Sequence, residues 1–300
     1  MASVKAKYRM YMALFKPLSW LPLWALYGFS DFLSLLMRRV LKYRRKVVRE
    51  NLRLSFPDMT EKELRHTEKR FYRQLTDNIV ETVKLLCISD RQIRRRVEVC
   101  DAGLVEQMAA QGRPIFLYLG HYANWEWVPS IMMHYSEPKV SAQIYKSLHD
   151  QAFDRVMQRV RDRFLSVNIP QDKAMRTMLQ LRRDYGSFIV GIIDDHSPNH
   201  DRSQHVMEFL NHPYTLINVG AEELGTRLGA AFLYLDVEKP SRGHYRLTFK
   251  PIDISDSSEE YPYTREYMRM LERTIRRDPG LWLWSHKRWR YTPAANTLTK

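Results

Sequence analysis

An α/β fold, with a mixed sheet flanked by helices and an N-terminal membrane helix, is what three features of this 300-residue sequence predict. Beyond Arg96, short apolar runs alternate with helical patterns, the arrangement that builds layered sheets covered by helices. A turn at Ser241-Arg242-Gly243 joins two of those runs as a hairpin and adds an antiparallel edge. Ahead of all this, Pro17 to Met37 is apolar over about 21 positions, close to the ~20 that cross a bilayer, with Asp31 its only charge.

Within the apolar stretch, Trp20, Trp24 and Tyr27 are residues that settle at membrane interfaces. Lys5, Lys7, Arg9 and Lys16 precede it, and a denser basic block from Arg38 to Arg53 follows. The excess of positive charge on the far side predicts that the body of the chain lies in the cytoplasm. No small-residue cleavage site closes the stretch, which argues against a secretory leader. A spanning helix, a helix lying in the interface and a buried core helix all fit the pattern. The division expected is a membrane-anchoring helix over 1–40 and a second domain over 41–300.

A basic helix from Lys42 to Leu54 stops at Phe56-Pro57, because proline disfavours helix in the residue before it. Thr60-Glu61-Lys62-Glu63 has the form of a capping box and opens a long amphipathic helix. Its apolar residues Leu64, Phe71, Leu75, Ile79, Val83 and Leu86 recur at helical spacing and are expected to pack into the core before the helix ends near Cys87. Strands are expected at Ile115 to Leu119, Val140 to Tyr145, Phe188 to Ile193, Ala231 to Val237 and Tyr245 to Phe249. Helices are expected near 124–134, 149–163, 171–185 and 215–228, and a last one over 261–277 leads into the tail Leu281 to Trp289.

Lys and Arg total 48 against 34 Asp and Glu, a formal charge of +14, so the partners expected are anionic. Cys87 and Cys100 form no C-x-x-C pair, which argues against a disulfide scaffold and a zinc ribbon and fits a reducing compartment. The basic residues gather beside an apolar helix and on no nucleic-acid recognition element, so an anionic membrane is favoured over nucleic acid.

Chemistry concentrates where the strand Ile115 to Leu119 runs into Gly120-His121-Tyr122-Ala123-Asn124-Trp125-Glu126-Trp127. Loops after strand carboxyl ends line the ligand crevice of open α/β sheets, so His121 falls where reacting groups gather. Glu126, five positions on, is expected to fold back and hold one imidazole nitrogen while the other accepts a proton. With no Ser or Cys beside His121, the scheme is direct: the histidine deprotonates a substrate hydroxyl, which attacks an activated acyl carbon. Backbone N–H groups beside Gly120, or a nearby arginine, would steady the oxyanion. A metal centre is not expected, since His134 and His149 complete no ligand spacing. Arg161 and Arg163, two apart on a helix, face different ways, so one of them is expected in the crevice. Asp195 follows another strand and serves either the crevice or its own loop.

Gly120 to Trp127 resembles the His-x4-Asp/Glu block of the lysophospholipid acyltransferase superfamily, and more narrowly the late acyltransferases of lipid A biosynthesis. Four further stretches are similar to that family in the same order: Arg44 to Leu52 with Ser55-Phe56-Pro57, Arg161-Asp162-Arg163-Phe164, Asp195-His196-Ser197-Pro198, and Trp282 to Trp289. The likeness runs from about residue 10 to 292 along the chain. It implies a glycerolipid-acyltransferase-like sheet at the cytoplasmic face of a bacterial inner membrane. It also implies an acyl carrier protein as donor, a lipid substrate, no cofactor, His121 as base and Glu126 as its charge-relay partner. Asn124, Arg161, Arg163 and Asp195 stand at its substrate-binding positions. His196 replaces the family's usual Gln, Leu165 stands where Gly is common, and Glu222-Glu223 replaces Glu-Lys. The expected activity is therefore acyl transfer to a hydroxyl of a lipid A precursor, with another lipid acceptor or a non-catalytic basic binding module as the alternatives.

Overall fold

The computed structural model describes residues 2–164, 166–198, 205–255 and 258–290; Leu165 lies outside them, as does the end of the stretch of resemblance at 291–292. The N-terminal apolar stretch is broken where one helix was expected. Helix α1 (Ala2–Trp20) ends at Leu21-Pro22, and α2 (Leu23–Leu35) leaves at an angle of 118° before running into a π-helical turn at Leu36–Val40. Pro22 supplies the break, since it stands at the cap of α2 and cannot donate to α1. Among the described residues no single helix is long and apolar enough to cross a membrane, although the bent pair passes by length and composition.

Helix α2 is tied to the body by polar contacts. Ser30 donates to Asp77 at 2.7 Å, Tyr27 donates to Glu81 at 2.7 Å, and Asp31 pairs with Arg242 at 2.9 Å. Its other face leaves Trp24, Phe32 and Leu35 exposed. Helix α3 (Arg45–Ser55) and helix α4 (Glu61–Lys84) follow, and the capping box at Thr60 and Glu63 forms as its sequence predicts. Only part of the apolar stripe of α4 packs as expected: Leu64 and Phe71 are core, whereas Leu75, Ile79, Val83 and Leu86 line a cleft.

After the short α5 (Asp90–Arg94) come β1 (Val97–Cys100), α6 (Ala102–Ala110) and β2 (Ile115–Leu119). A 3-10 helix at Trp125–Met133 precedes β3 (Ser141–Tyr145), α7 (Gln151–Arg161), β4 (Val167–Pro170), α8 (Ala174–Tyr185) and β5 (Ile189–Ile193). The hairpin β6 (Val206–Phe209) and β7 (His212–Leu216) stands apart as a two-stranded sheet, so the helix expected over 215–228 is shortened to α9 (Gly220–Arg227). Strands β8 (Ala231–Ser241) and β9 (His244–Pro251) and helix α10 (Pro262–Arg277) complete the set.

Among the described residues the main sheet has seven strands, in the order β1-β9-β8-β2-β5-β3-β4. All its pairings are parallel except β8 with β9, so the mixed sheet is as predicted. The antiparallel hairpin is not the edge that the sequence suggested, because β1 covers β9. Every residue of β2 is buried, as a central strand covered on both faces requires. The chain leaves β2, builds β3 and β4 farther out, and returns as β5 between β2 and β3. Strand order reverses around β2 and β5, and ligand crevices open at such points.

Candidate active site

Register decides the site. Leu119 at the end of β2 pairs with Ile193 at the end of β5, so the residues two positions beyond each strand, His121 and Asp195, emerge side by side. The imidazole Nδ1 lies 2.6 Å from Asp195 Oδ1. Asp195 is fully buried and accepts two more hydrogen bonds at Oδ2, from the His121 backbone N–H at 2.9 Å and from the Trp282 indole at 2.7 Å. Burial alone would raise its pKa, but the neighbouring imidazole and these donors overcome it and hold the carboxyl below the usual range. An ionised carboxylate accepts only, so Nδ1 carries the proton and Nε2 is left with its lone pair.

Glu126, expected on the imidazole, is elsewhere. Ala123 turns through φ +51° and the 3-10 helix begins at Trp125, which swings Glu126 toward α7. There Arg161 grips it with two hydrogen bonds, 2.8 and 3.0 Å. The hydrogen-bond partner of His121 thus comes from the end of the neighbouring strand: it is Asp195, expected either in the crevice or as a cap of its own loop. Asn124 does not reach the cleft. It is buried, donates to Glu81 and accepts from the Trp127 amide at 3.1 Å, so both ends of its amide are engaged. Arg163 is half-buried and pairs with the exposed Asp90 at 2.8 Å. Of the two arginines, Arg161 faces the crevice.

The loop amides proposed for the oxyanion are also engaged: that of His121 by Asp195 and that of Ala123 by Leu281 O at 3.0 Å. The Trp-rich tail packs in the core, with Trp282 and Trp284 buried, and also clamps this loop. Leu283 N donates to His121 O at 3.1 Å, and Trp282 reaches Asp195. Gly120 is required by closeness, since a Cβ there would meet Leu271 of α10 at 2.6 Å.

Residues that the sequence reading did not assign complete the surroundings. His196 lies flat between His121 and His286, ring centroids 3.8 Å from each. Burial pushes His196 down to about 3 and His286 down to about 4, so both rings are neutral. Asp194 goes the other way, pushed up to about 7 by burial and by Asp195 despite the hydrogen bond from Asn218. Asp195 and His196 were visible as a short motif, but the stacking needs His286 from the far end of the chain.

Ligand atoms of His121, Asp195 and His196 lie within 4.8 Å of one another. The two rings are parallel to within 7°, so their lone pairs run in parallel planes and do not converge on one ion.

Two clefts meet at this point. A polar one of about 720 Å³ is lined by His121, Arg161, Asp194, His196, Asn218 and Arg227. An apolar one of about 470 Å³ lies between α4, α7 and Phe15 of α1, and ends at Trp125, Glu126 and His286. Trp125, Phe153 and Met157 line both. The two clefts are therefore neighbours, and His121 stands in the polar one.

The family model described as bacterial lipid A biosynthesis acyltransferase matches residues 3–291. The chain is 25% identical over 280 residues to the lipid A biosynthesis lauroyltransferase of Escherichia coli (strain K12), covering 91% of this chain and 88% of that protein. It is 24% identical over 266 residues to the lipid A biosynthesis palmitoleoyltransferase of the same strain, covering 87% and 83%. A lipid A biosynthesis acyltransferase of Shigella flexneri matches to the same extent, 24% over 266 residues.

Proposed function

This chain belongs to the bacterial lipid A biosynthesis acyltransferase family, and from that we propose that it moves a fatty acyl chain from acyl carrier protein to a hydroxyl of a lipid A precursor. The observation that carries the proposal is the His121–Asp195 pair at the meeting of a polar and an apolar cleft. Nε2 takes the proton of the acceptor hydroxyl as its oxygen attacks the thioester carbon. The tetrahedral intermediate collapses, the carbon–sulfur bond breaks, and the imidazolium returns its proton to the departing carrier thiolate. Asp195 keeps the tautomer and steadies the imidazolium. No covalent acyl-enzyme is needed, because the acceptor hydroxyl itself is the nucleophile.

In this reading the polar cleft takes the anionic sugar headgroup, with Arg161, oriented by its two bonds to Glu126, and Arg227 supplying positive charge. The apolar cleft takes acyl chain. Trp24, Phe32 and Leu35 rest on the inner membrane from its cytoplasmic face, and the basic block after α2 meets anionic headgroups and the acidic carrier. Asn124 and Glu81 position the loop that bears His121.

The test is reconstitution. Purified chain, carrier-linked donor and lipid A precursor yield a lipid heavier by one acyl residue in mass spectrometry. His121→Ala lowers the rate by about 10²–10⁴-fold, the usual contribution of a general base, with an unchanged melting temperature. Full activity in that variant removes the mechanism.

A further inference from the structure

Resting on the acyl-transfer reading, we infer that Tyr27 of α2 is a positioning residue for the reaction: through Glu81 and Asn124 it holds the loop that carries His121. Helix α4 grips the N-terminal pair along one face, with Asp77, Glu81 and Lys84 at positions i, i+4 and i+7, all three buried. Lys84 donates to Ser19 O and Leu21 O at the break between α1 and α2, at 2.9 Å each. Asp77 accepts from Ser30. Glu81 reaches in two directions. Its Oε1 accepts from the Tyr27 hydroxyl at 2.7 Å, while its Oε2 accepts from the Asn124 amide and, at 2.7 Å, from the Tyr245 hydroxyl.

The loop end of this bridge is where small displacements matter. Asn124 accepts from the Trp127 amide, and Trp127 Nε1 returns to Glu81 O at 3.1 Å, so the start of the 3-10 helix is locked to α4. Between Asn124 and His121 lies Ala123, whose φ of +51° is a left-handed conformation that a residue with a Cβ keeps only while its neighbours enforce it. Helix packing alone does not call for a fully buried carboxylate, since apolar side chains seat one helix on another without taking a charge out of water. Burial pushes the Glu81 carboxyl up, and Lys239 and the hydroxyls of Tyr245 and Tyr27 oppose it. Removing the Tyr27 hydroxyl takes one of those donors from Glu81 and turns a charge-assisted bond to Asn124 into a weaker one. The loop loses part of what fixes it, and a base held less exactly takes its proton more slowly.

The experiment compares Tyr27→Phe, Ser30→Ala and Glu81→Gln with the unsubstituted chain in steady-state acyl transfer from a carrier-linked donor to a lipid A precursor. Tyr27→Phe keeps the ring that lies under Arg242 and removes one hydroxyl. Its kcat should fall about tenfold, with KM for both substrates within about twofold. Ser30→Ala cuts another bond between α2 and α4, yet should leave kcat within about twofold. On a Glu81→Gln background, adding Tyr27→Phe should lower kcat by no more than about a further twofold, because the path is already broken. Full kcat in Tyr27→Phe, an equal loss in Ser30→Ala, or losses that multiply in the double variant would each overturn the inference. If Glu81→Gln does not fold, the comparison of Tyr27→Phe with Ser30→Ala decides alone. Absence of transfer by the unsubstituted chain overturns the proposed function itself and the inference with it.

Discussion

Asp195 concentrates the consequences of the site in one side chain. Asp195→Asn would present an amide N–H to Nδ1 and reverse the tautomer, so Nε2 would carry the proton and lose its basicity. We expect kcat to fall about 10³–10⁴-fold with KM little changed, read from steady-state kinetics with a carrier-linked donor. Full kcat in this variant would remove Asp195 from the mechanism. The stacked histidines make a separate prediction about stability. Their pKa values in the fold, about 3 for His196 and about 4 for His286, lie below the ordinary 6.5. The unfolded chain therefore binds protons first as pH falls, and the stabilisation present above about 6.5 is lost on the way down to about 4. Each ring should cost about 1 kcal/mol or more by about pH 5, and His196→Gln should flatten that part of a melting-temperature profile.

Elements decide which polar residues meet. The 3-10 helix at Trp125–Met133 and α7 are held together by Glu126 and Arg161, both largely shielded from water. Arg161→Ala leaves a buried carboxylate without its cation and should destabilise the protein by about 3–5 kcal/mol in denaturant melts. Pairing it with Glu126→Gln should recover part of that loss, and strictly additive losses would show that the two do not interact. Helix α4 was readable before the fold was known: its capping box, start and period all follow from local sequence. What was not readable is that the stripe changes use partway along. Leu64 and Phe71 meet the core, but beyond them α7 stands off and leaves a cleft.

At the scale of the molecule, the bent N-terminal pair leaves an apolar surface beside a basic one. Trp20, Trp24, Phe32 and Leu35 are 54–78% exposed, whereas Ser30 on the opposite side of α2 is fully buried. Replacing Trp24 and Phe32 together by Ser should weaken sedimentation with anionic vesicles by more than tenfold, since each buried aromatic contributes about 1.5–3 kcal/mol. The melting temperature should not move, because neither side chain packs in the core. Undiminished vesicle binding would mean that this face does not contact the membrane.

Sequence alone carried much that is local or periodic: the alternation that makes an α/β sheet, the strand leading to His121, the capping box, the basic flank and the apolar character of the amino terminus. It also brought Asp195 into view as part of a short motif. Tertiary structure decided what those residues do to one another. Asp195 sits on His121 because β5 returns beside β2, and Glu126 sits on Arg161 because a turn at Ala123 points it toward α7. A hydrogen bond depends on a few tenths of an ångström across strands more than 70 positions apart, and spacing along a chain records only the order of side chains, not which of them a sheet sets side by side.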